Sequence, residues 1–186
     1  MEIVSTMGTG SLGRELDLKT LVRSIDNHLE NPIDANFTSN GMVTLRLNEG
    51  GPAYTIYRTG SFQIRGSKTE REQAEAEERF RNVISEIGVE VPEYVFNHVT
   101  SVFMEDLDRE VNLETLTIAL GMENSEYEPE QFPGLIYRPE EFELTLLVFT
   151  SGKFIIVGTT DRDRASSAVR QLEGKLAALD TDQSNN

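Results

Sequence analysis

The chain has 186 residues, 32 Asp plus Glu against 17 Lys plus Arg, a formal net charge of -15, no cysteine and two histidines. That excludes a disulfide framework, a thiol nucleophile and a thiolate metal site, and two histidines are a poor basis for zinc. No apolar run approaches the roughly 20 residues that span a bilayer, and the start MEIVSTMGTG has neither a basic n-region nor an apolar h-region. An intracellular, cytoplasmic protein is expected, able to bury one sizeable core or two small ones. Only Lys19, Lys68, Lys153 and Lys175 are lysines, a lysine-poor acidic composition that suits concentrated salt.

The chain reads as two copies of one unit. GRELDLKTL (13–21) lies over DREVNLETL (108–116) at an offset of 95, and RTGSFQIRG (58–66) over TSGKFIIVG (150–158) at an offset of 92. The difference falls between Leu21 and Arg46, so the first copy carries a short insertion there. The expected divisions are 1–92, 93–180 and a disordered acidic tail, 181–186.

In chain order, a strand is predicted at about 2–8, then a short helix capped by Asp17 with Leu18, Leu21, Val22 and Ile25 on its apolar side. Hairpin-linked strands follow, ending in a turn at Gly60. A long helix opens on a capping-box pattern, Ser67 to Glu70, and lines up Ala76, Phe80, Val83 and Ile87. The second copy repeats this with a strand at 96–103, a cap at Asn112 before Leu113, Leu116 and Leu120, and a turn at Gly152. Its closing helix carries Ala165, Val169, Leu172, Leu176 and Leu179, with Gly174 costing about 1 kcal/mol relative to Ala in mid-helix.

The stretch LTLLVFTSGKFIIVG (144–158) is apolar on too many positions for a half-buried hairpin. Both copies together predict an α+β fold, one continuous antiparallel sheet with all helices on one face. The bare face would then carry Val99, Leu147, Phe149, Ile155 and Val157, an apolar patch that calls for an apolar partner.

The segment GTGSLG (8–13) fits the dinucleotide fingerprint G-x-G-x-x-G, with Glu30 downstream. Its context fails: the next helix is too short for a crossover and the next strands are hairpin-linked. A glycine-rich strand-to-helix turn is the reading preferred. His28, in a predicted loop, and His98, on a strand, are read as packed or surface histidines, and no catalytic constellation can be assembled. The chain is not read as an enzyme and no cofactor is expected.

The block YEPEQFPGLIYR (127–138), followed by LLVFTSGKFIIVG and preceded by NHVTS (97–101), resembles the second repeat of the TATA-box-binding protein family, of archaeal and haloarchaeal type. The first copy resembles the family's first repeat loosely, through LDLKTL, LRL and the strands around Gly60. The resemblance implies a saddle-shaped, pseudo-symmetric fold with helices on the convex face. It implies a general transcription initiation factor that binds and bends promoter DNA through the minor groove in the nucleoid. The partners implied are that DNA, transcription factor B and, indirectly, RNA polymerase, with no membrane and no small-molecule substrate.

The resemblance also assigns roles. Phe132, followed by Pro133, and Phe149 match a pair of aromatics that wedges between base steps. Asn97 matches a central asparagine, and Val99, Leu147, Ile155 and Val157 its apolar neighbours. Arg138, Ser151 and Lys153 match phosphate contacts. In the first copy Val4, Thr6, Arg46, Thr55, Tyr57, Gln63 and Arg65 fall at matching DNA-face positions. Tyr57 answers Phe149, while Gln63, Arg65 and Thr55 depart from the usual Val, Thr and Leu, and Glu2 replaces an asparagine. Phe37 answers Phe132 if the insertion follows it; otherwise Asn40 does. Glu128, Glu130 and Gln131 match positions that meet transcription factor B. The alternative is a diverged protein-interaction module with weak or no DNA binding.

Overall fold

The computed structural model describes residues 1–38 and 41–184, with side chains as far as residue 180. Among the described residues, ten strands and four helices follow one another as β1 (Glu2–Ser11), α1 (Leu18–His28), β2 (Ala35–Thr38), β3 (Met42–Leu45), β4 (Ala53–Tyr57), β5 (Ser61–Arg65) and α2 (Glu70–Glu86), then β6 (Val95–Asp106), α3 (Leu113–Leu120), β7 (Ser125–Glu126), β8 (Gly134–Tyr137), β9 (Thr145–Phe149), β10 (Lys153–Thr159) and α4 (Arg162–Ser184). The strands form one open antiparallel sheet in the order β2-β3-β4-β5-β1-β6-β10-β9-β8-β7. The α+β expectation holds, with the same element order in both copies.

The chain divides into two compact units: residues 4–99, the first unit, and residues 1–3 with 100 onward, the second. In the first, Phe62, Ile64, Tyr54, Ile56, Val43 and Leu45 pack with Leu21 and Ile25 of α1 and Ala76, Phe80 and Val83 of α2. Phe62 sits at its centre, 4.7 Å from the Phe80 ring, 5.7 Å from Tyr94 and 6.0 Å from Phe96. The buried Tyr54 hydroxyl donates to Ala76 O at 3.0 Å, and burial pushes its pKa up to about 12. In the second, Phe103, Phe154, Ile156, Leu146, Val148, Leu135 and Tyr137 pack under Leu113, Leu116 and Leu120 of α3 and Ala165, Val169, Leu172 and Leu176 of α4. These are the helix faces the sequence periodicity selects.

The caps follow the sequence with one shift. Asp17 accepts from Thr20 N at 2.8 Å and Asn112 from Thr115 N at 2.9 Å. Helix α2 is capped by Thr69, which accepts from Glu72 N at 3.0 Å, while the Glu72 carboxylate accepts from Lys68 N at 2.8 Å. Ser67 is buried two residues earlier, so the capping pattern is displaced onto Thr69 and Glu72. The Thr20 amide holds the Asp17 carboxyl below its ordinary pKa. A depressed acid stabilises the fold above its unfolded pKa and loses that contribution as pH falls through the folded value. Asp17→Asn, which keeps the acceptor, should therefore melt more nearly alike at neutral and acid pH than the parent, read by circular dichroism.

Turns at Gly60 (φ +87°) and Gly152 (φ +86°) are built alike. A Cβ there would stand 2.0 Å from Arg14 O or Arg109 O. Leu12 N and Leu107 N donate to Gly60 O and Gly152 O respectively. The fingerprint glycines of GTGSLG serve packing: a Cβ on Gly8 would lie 2.2 Å from the Phe96 ring, and one on Gly10 2.3 Å from Phe62. β1 pairs antiparallel with β5, so no crossover unit follows it. His28 ends α1 rather than lying in a loop, and its Nε2 meets Glu86 at 2.9 Å.

Helix α4 reaches Ser184, through most of the segment expected to be a disordered tail; Asn185 and Asn186 lie outside the described residues. Gly174 has open space around its Cβ position. Gly174→Ala should raise stability by about 1 kcal/mol in chemical denaturation.

Candidate nucleic-acid interface

Alternation about the core residues fixes which side chains face away from the helices. In the second unit these are Val102 and Met104 of β6, Lys153, Ile155 and Val157 of β10, Thr145, Leu147 and Phe149 of β9, and Gly134 and Ile136 of β8. One row crosses four strands as Met104–Ile155–Leu147–Ile136, all apolar and all half-buried. At its flank Phe132 meets Phe149 edge to face, ring centroids 5.9 Å apart at 61°. Gly134 makes that pair possible, since a Cβ there would lie 2.8 Å from Phe132 and 3.1 Å from Phe149.

The loop before Phe132 is a tight turn in which Gln131 N and Phe132 N both donate to Glu128 O at 2.9 Å. Gln131 Nε2 donates to the Glu128 carboxylate, and Glu128, Pro129, Glu130, Gln131 and Pro133 are exposed. Arg138 stands just past β8, exposed and 3.6 Å from Glu126. Ser151 and Lys153 are exposed at the β9–β10 turn.

The first unit has the same geometry with different chemistry. Its row is Thr9–Gln63–Thr55–Thr44, polar throughout, with Thr44 and Thr55 hydroxyls 2.9 Å apart. Met7, Arg65 and Ala53 form the neighbouring row, and Tyr57 pairs across with Met42. Arg46 follows β3 on the same side by alternation and donates to Gly51 O. Thr55 is only 3% exposed, packed flush among these neighbours.

Two sequence assignments are corrected. Thr6 is 1% exposed and its hydroxyl donates to Gln73 Oε1 of α2 at 2.5 Å, so it faces the helices. Phe37 pairs with the core residue Val43, so alternation puts it on the helix side, where it lines a surface hollow with Leu16, Leu18 and Arg58. Because Met42–Tyr57 corresponds to Gly134–Phe149, the position answering Phe132 is Asn40, which lies outside the described residues. The insertion precedes β2, and α1 is 11 residues against 8 in α3.

Strand β6 changes phase along its length. Phe96 packs into the first unit's core and Phe103 into the second's, seven residues apart, so strict alternation breaks between them. Asn97 and Val99 are exposed opposite Phe96, in the part of β6 grouped with the first unit, and Val4 is half-buried in β1. The apolar row of the second unit is completed by Met104, with Val102 beside it, residues the sequence reading passed over. No sequence signal marks them, because the register of Ile155 opposite Met104 is visible only in the structure.

The family model for transcription factor TFIID, or TATA-binding protein, matches residues 1–87 and 95–179. The chain belongs to the TATA-binding protein family. It is 38% identical over 181 residues to TATA-box-binding protein C of Halobacterium salinarum, covering 96% of this chain and 98% of that one. It is 34% identical to TATA-box-binding protein 2 of Haloferax volcanii, covering 96% and 94%. The solved TATA-binding protein of Methanococcus jannaschii superposes with a TM-score of 0.75 at 29% identity, covering 95% of this chain and 98% of that one. In this family member the two repeats share one element order and differ in the chemistry of the face away from the helices. No helix among the described residues is long and apolar enough to cross a membrane.

Proposed function

We propose that the chain is a transcription initiation factor that binds promoter DNA in the minor groove, bends it, recruits transcription factor B and so places RNA polymerase. The observation that carries this is the apolar face of the second unit, with Phe132 and Phe149 set over Gly134 in a TATA-binding protein family member. Such a face suits a groove floor that offers few donors, and paired aromatics suit insertion between base steps. Unstacking a step costs a few kcal/mol, offset by apolar contact with the opened groove. Tyr57 extends the contact from the first unit, while Arg138, Ser151 and Lys153 meet phosphates.

Arg138 and Lys153 are the only cations assigned to phosphates in the second unit, so affinity for an A·T-rich duplex should fall by only about twentyfold between 0.2 and 1 M KCl, measured by fluorescence anisotropy. A fall of about a thousandfold would mark a phosphate-driven binder and count against the reading.

Transcription factor B is assigned to the exposed turn carrying Glu128, Glu130 and Gln131. Glu130→Arg should prevent a band shift by that factor while duplex binding persists. A second reading, a protein-interaction module without DNA binding, draws on the polar row of the first unit and on Glu2. It predicts capture of transcription factor B with no duplex binding at any salt concentration.

A further inference from the structure

The two units present the same transverse row in opposite chemistry: Met104–Ile155–Leu147–Ile136 in one, Thr9–Gln63–Thr55–Thr44 in the other. We propose that the polar row lets the first unit recognise a G·C pair in the DNA beneath it, with Gln63 as the specificity-determining residue. This rests on the reading of these faces as a minor-groove surface.

In the minor groove A·T and T·A pairs show only acceptors, whereas G·C adds the guanine N2 amino donor. An apolar row buries that amino group without a partner and so rejects G·C. The first unit's row supplies acceptors instead. Gln63 brings an amide carbonyl oxygen beside two donor hydrogens, and each threonine hydroxyl accepts as well as donates. The Thr44 and Thr55 hydroxyls are 2.9 Å apart and bond each other, and with Thr55 only 3% exposed the accessible acceptors of the row are Gln63, Thr9 and Thr44. Gln63 is cross-strand neighbour to both Thr9 and Thr55, which places its amide mid-row. Arg65, two residues on along the same face, supplies donors for the flanking groove acceptors. The second unit keeps its A·T preference, so the preferred site is asymmetric, A·T-rich under one unit and containing G·C under the other.

The test is anisotropy titration of a duplex set in molar KCl, with one G·C pair moved stepwise through one half-site and an inosine·C counterpart at each position. Inosine lacks the N2 amino group and leaves the rest of the pair in place. The expected result is a position where G·C binds about tenfold tighter than inosine·C, with the difference falling below about twofold in Gln63→Val, which restores the residue class found at Ile155. Equal binding of G·C and inosine·C at every position in the parent overturns the proposal, whatever the variant does. Tightest binding to all-A·T duplexes, unchanged by Gln63→Val, overturns it as well. If no duplex binds at all, the minor-groove reading itself has failed and the proposal falls with it.

Discussion

Phe149→Ala is expected to weaken binding to an A·T-rich duplex by about 10- to 100-fold while leaving the fold intact. The ring is half-buried on the face away from the helices, edge to face with Phe132, and outside the core cluster of its unit. Its removal takes nothing from the packing of Phe154, Ile156 and Val148. What is lost is stacking on an exposed base, which is about 1–3 kcal/mol per aromatic by alanine substitution. Anisotropy titration together with a thermal melt checks both halves. Unchanged affinity with an unchanged melt would remove Phe149 from the interface. Tyr57→Ala, by contrast, should weaken binding less, because Tyr57 faces Met42 where Phe149 has Gly134, which leaves less room for a partner ring.

The second large effect concerns stability. Phe62→Ala should cost about 3–5 kcal/mol, since a fully buried ring leaves a cavity that its neighbours only partly refill. Phe62 is 1% exposed and touches Phe80, Tyr94 and Phe96 at centroid distances of 4.7, 5.7 and 6.0 Å. Those rings belong to α2, to the segment before β6 and to β6 itself, so one truncation loosens three segments of the first unit. Against a usual total of about 5–15 kcal/mol, that is a large share. Urea denaturation followed by circular dichroism reads it. A loss below about 1 kcal/mol would contradict the packing described.

Much of this was legible in the sequence, because repetition supplies a second reading of every element. The offsets of 95 and 92 located α1 against α3 and β5 against β10. Helical periodicity picked Phe80, Val83, Leu172 and Leu176 out of their helices correctly. The apolar pattern of 144–158 gave a strand pair with both faces apolar, one against helices and one bare. What stayed hidden depends on register between strands. Phe37 and Asn40 could not be told apart until Met42 was seen opposite Tyr57. Thr6 reads as a small polar residue on either face, and its bond to Gln73, 67 residues away, decides the matter. In β6 both alternating sets mix apolar and polar residues, Phe96, Val102 and Met104 with His98 and Thr100, and Val99 and Phe103 with Asn97 and Ser101, so period two has no clear phase and the break between Phe96 and Phe103 leaves no mark. Ser67 and Thr69 are both good caps, and only the backbone selects Thr69.

The central claim, that the apolar face of the second unit grips and bends duplex DNA, is tested most directly by energy transfer between dyes on the two ends of an A·T-rich duplex in molar KCl. The ends should approach on addition of the folded protein, and should not with Phe149→Ala. Saturable binding of the parent with no change in end-to-end distance would contradict it, because a face that binds without opening the groove has no use for a paired Phe132 and Phe149.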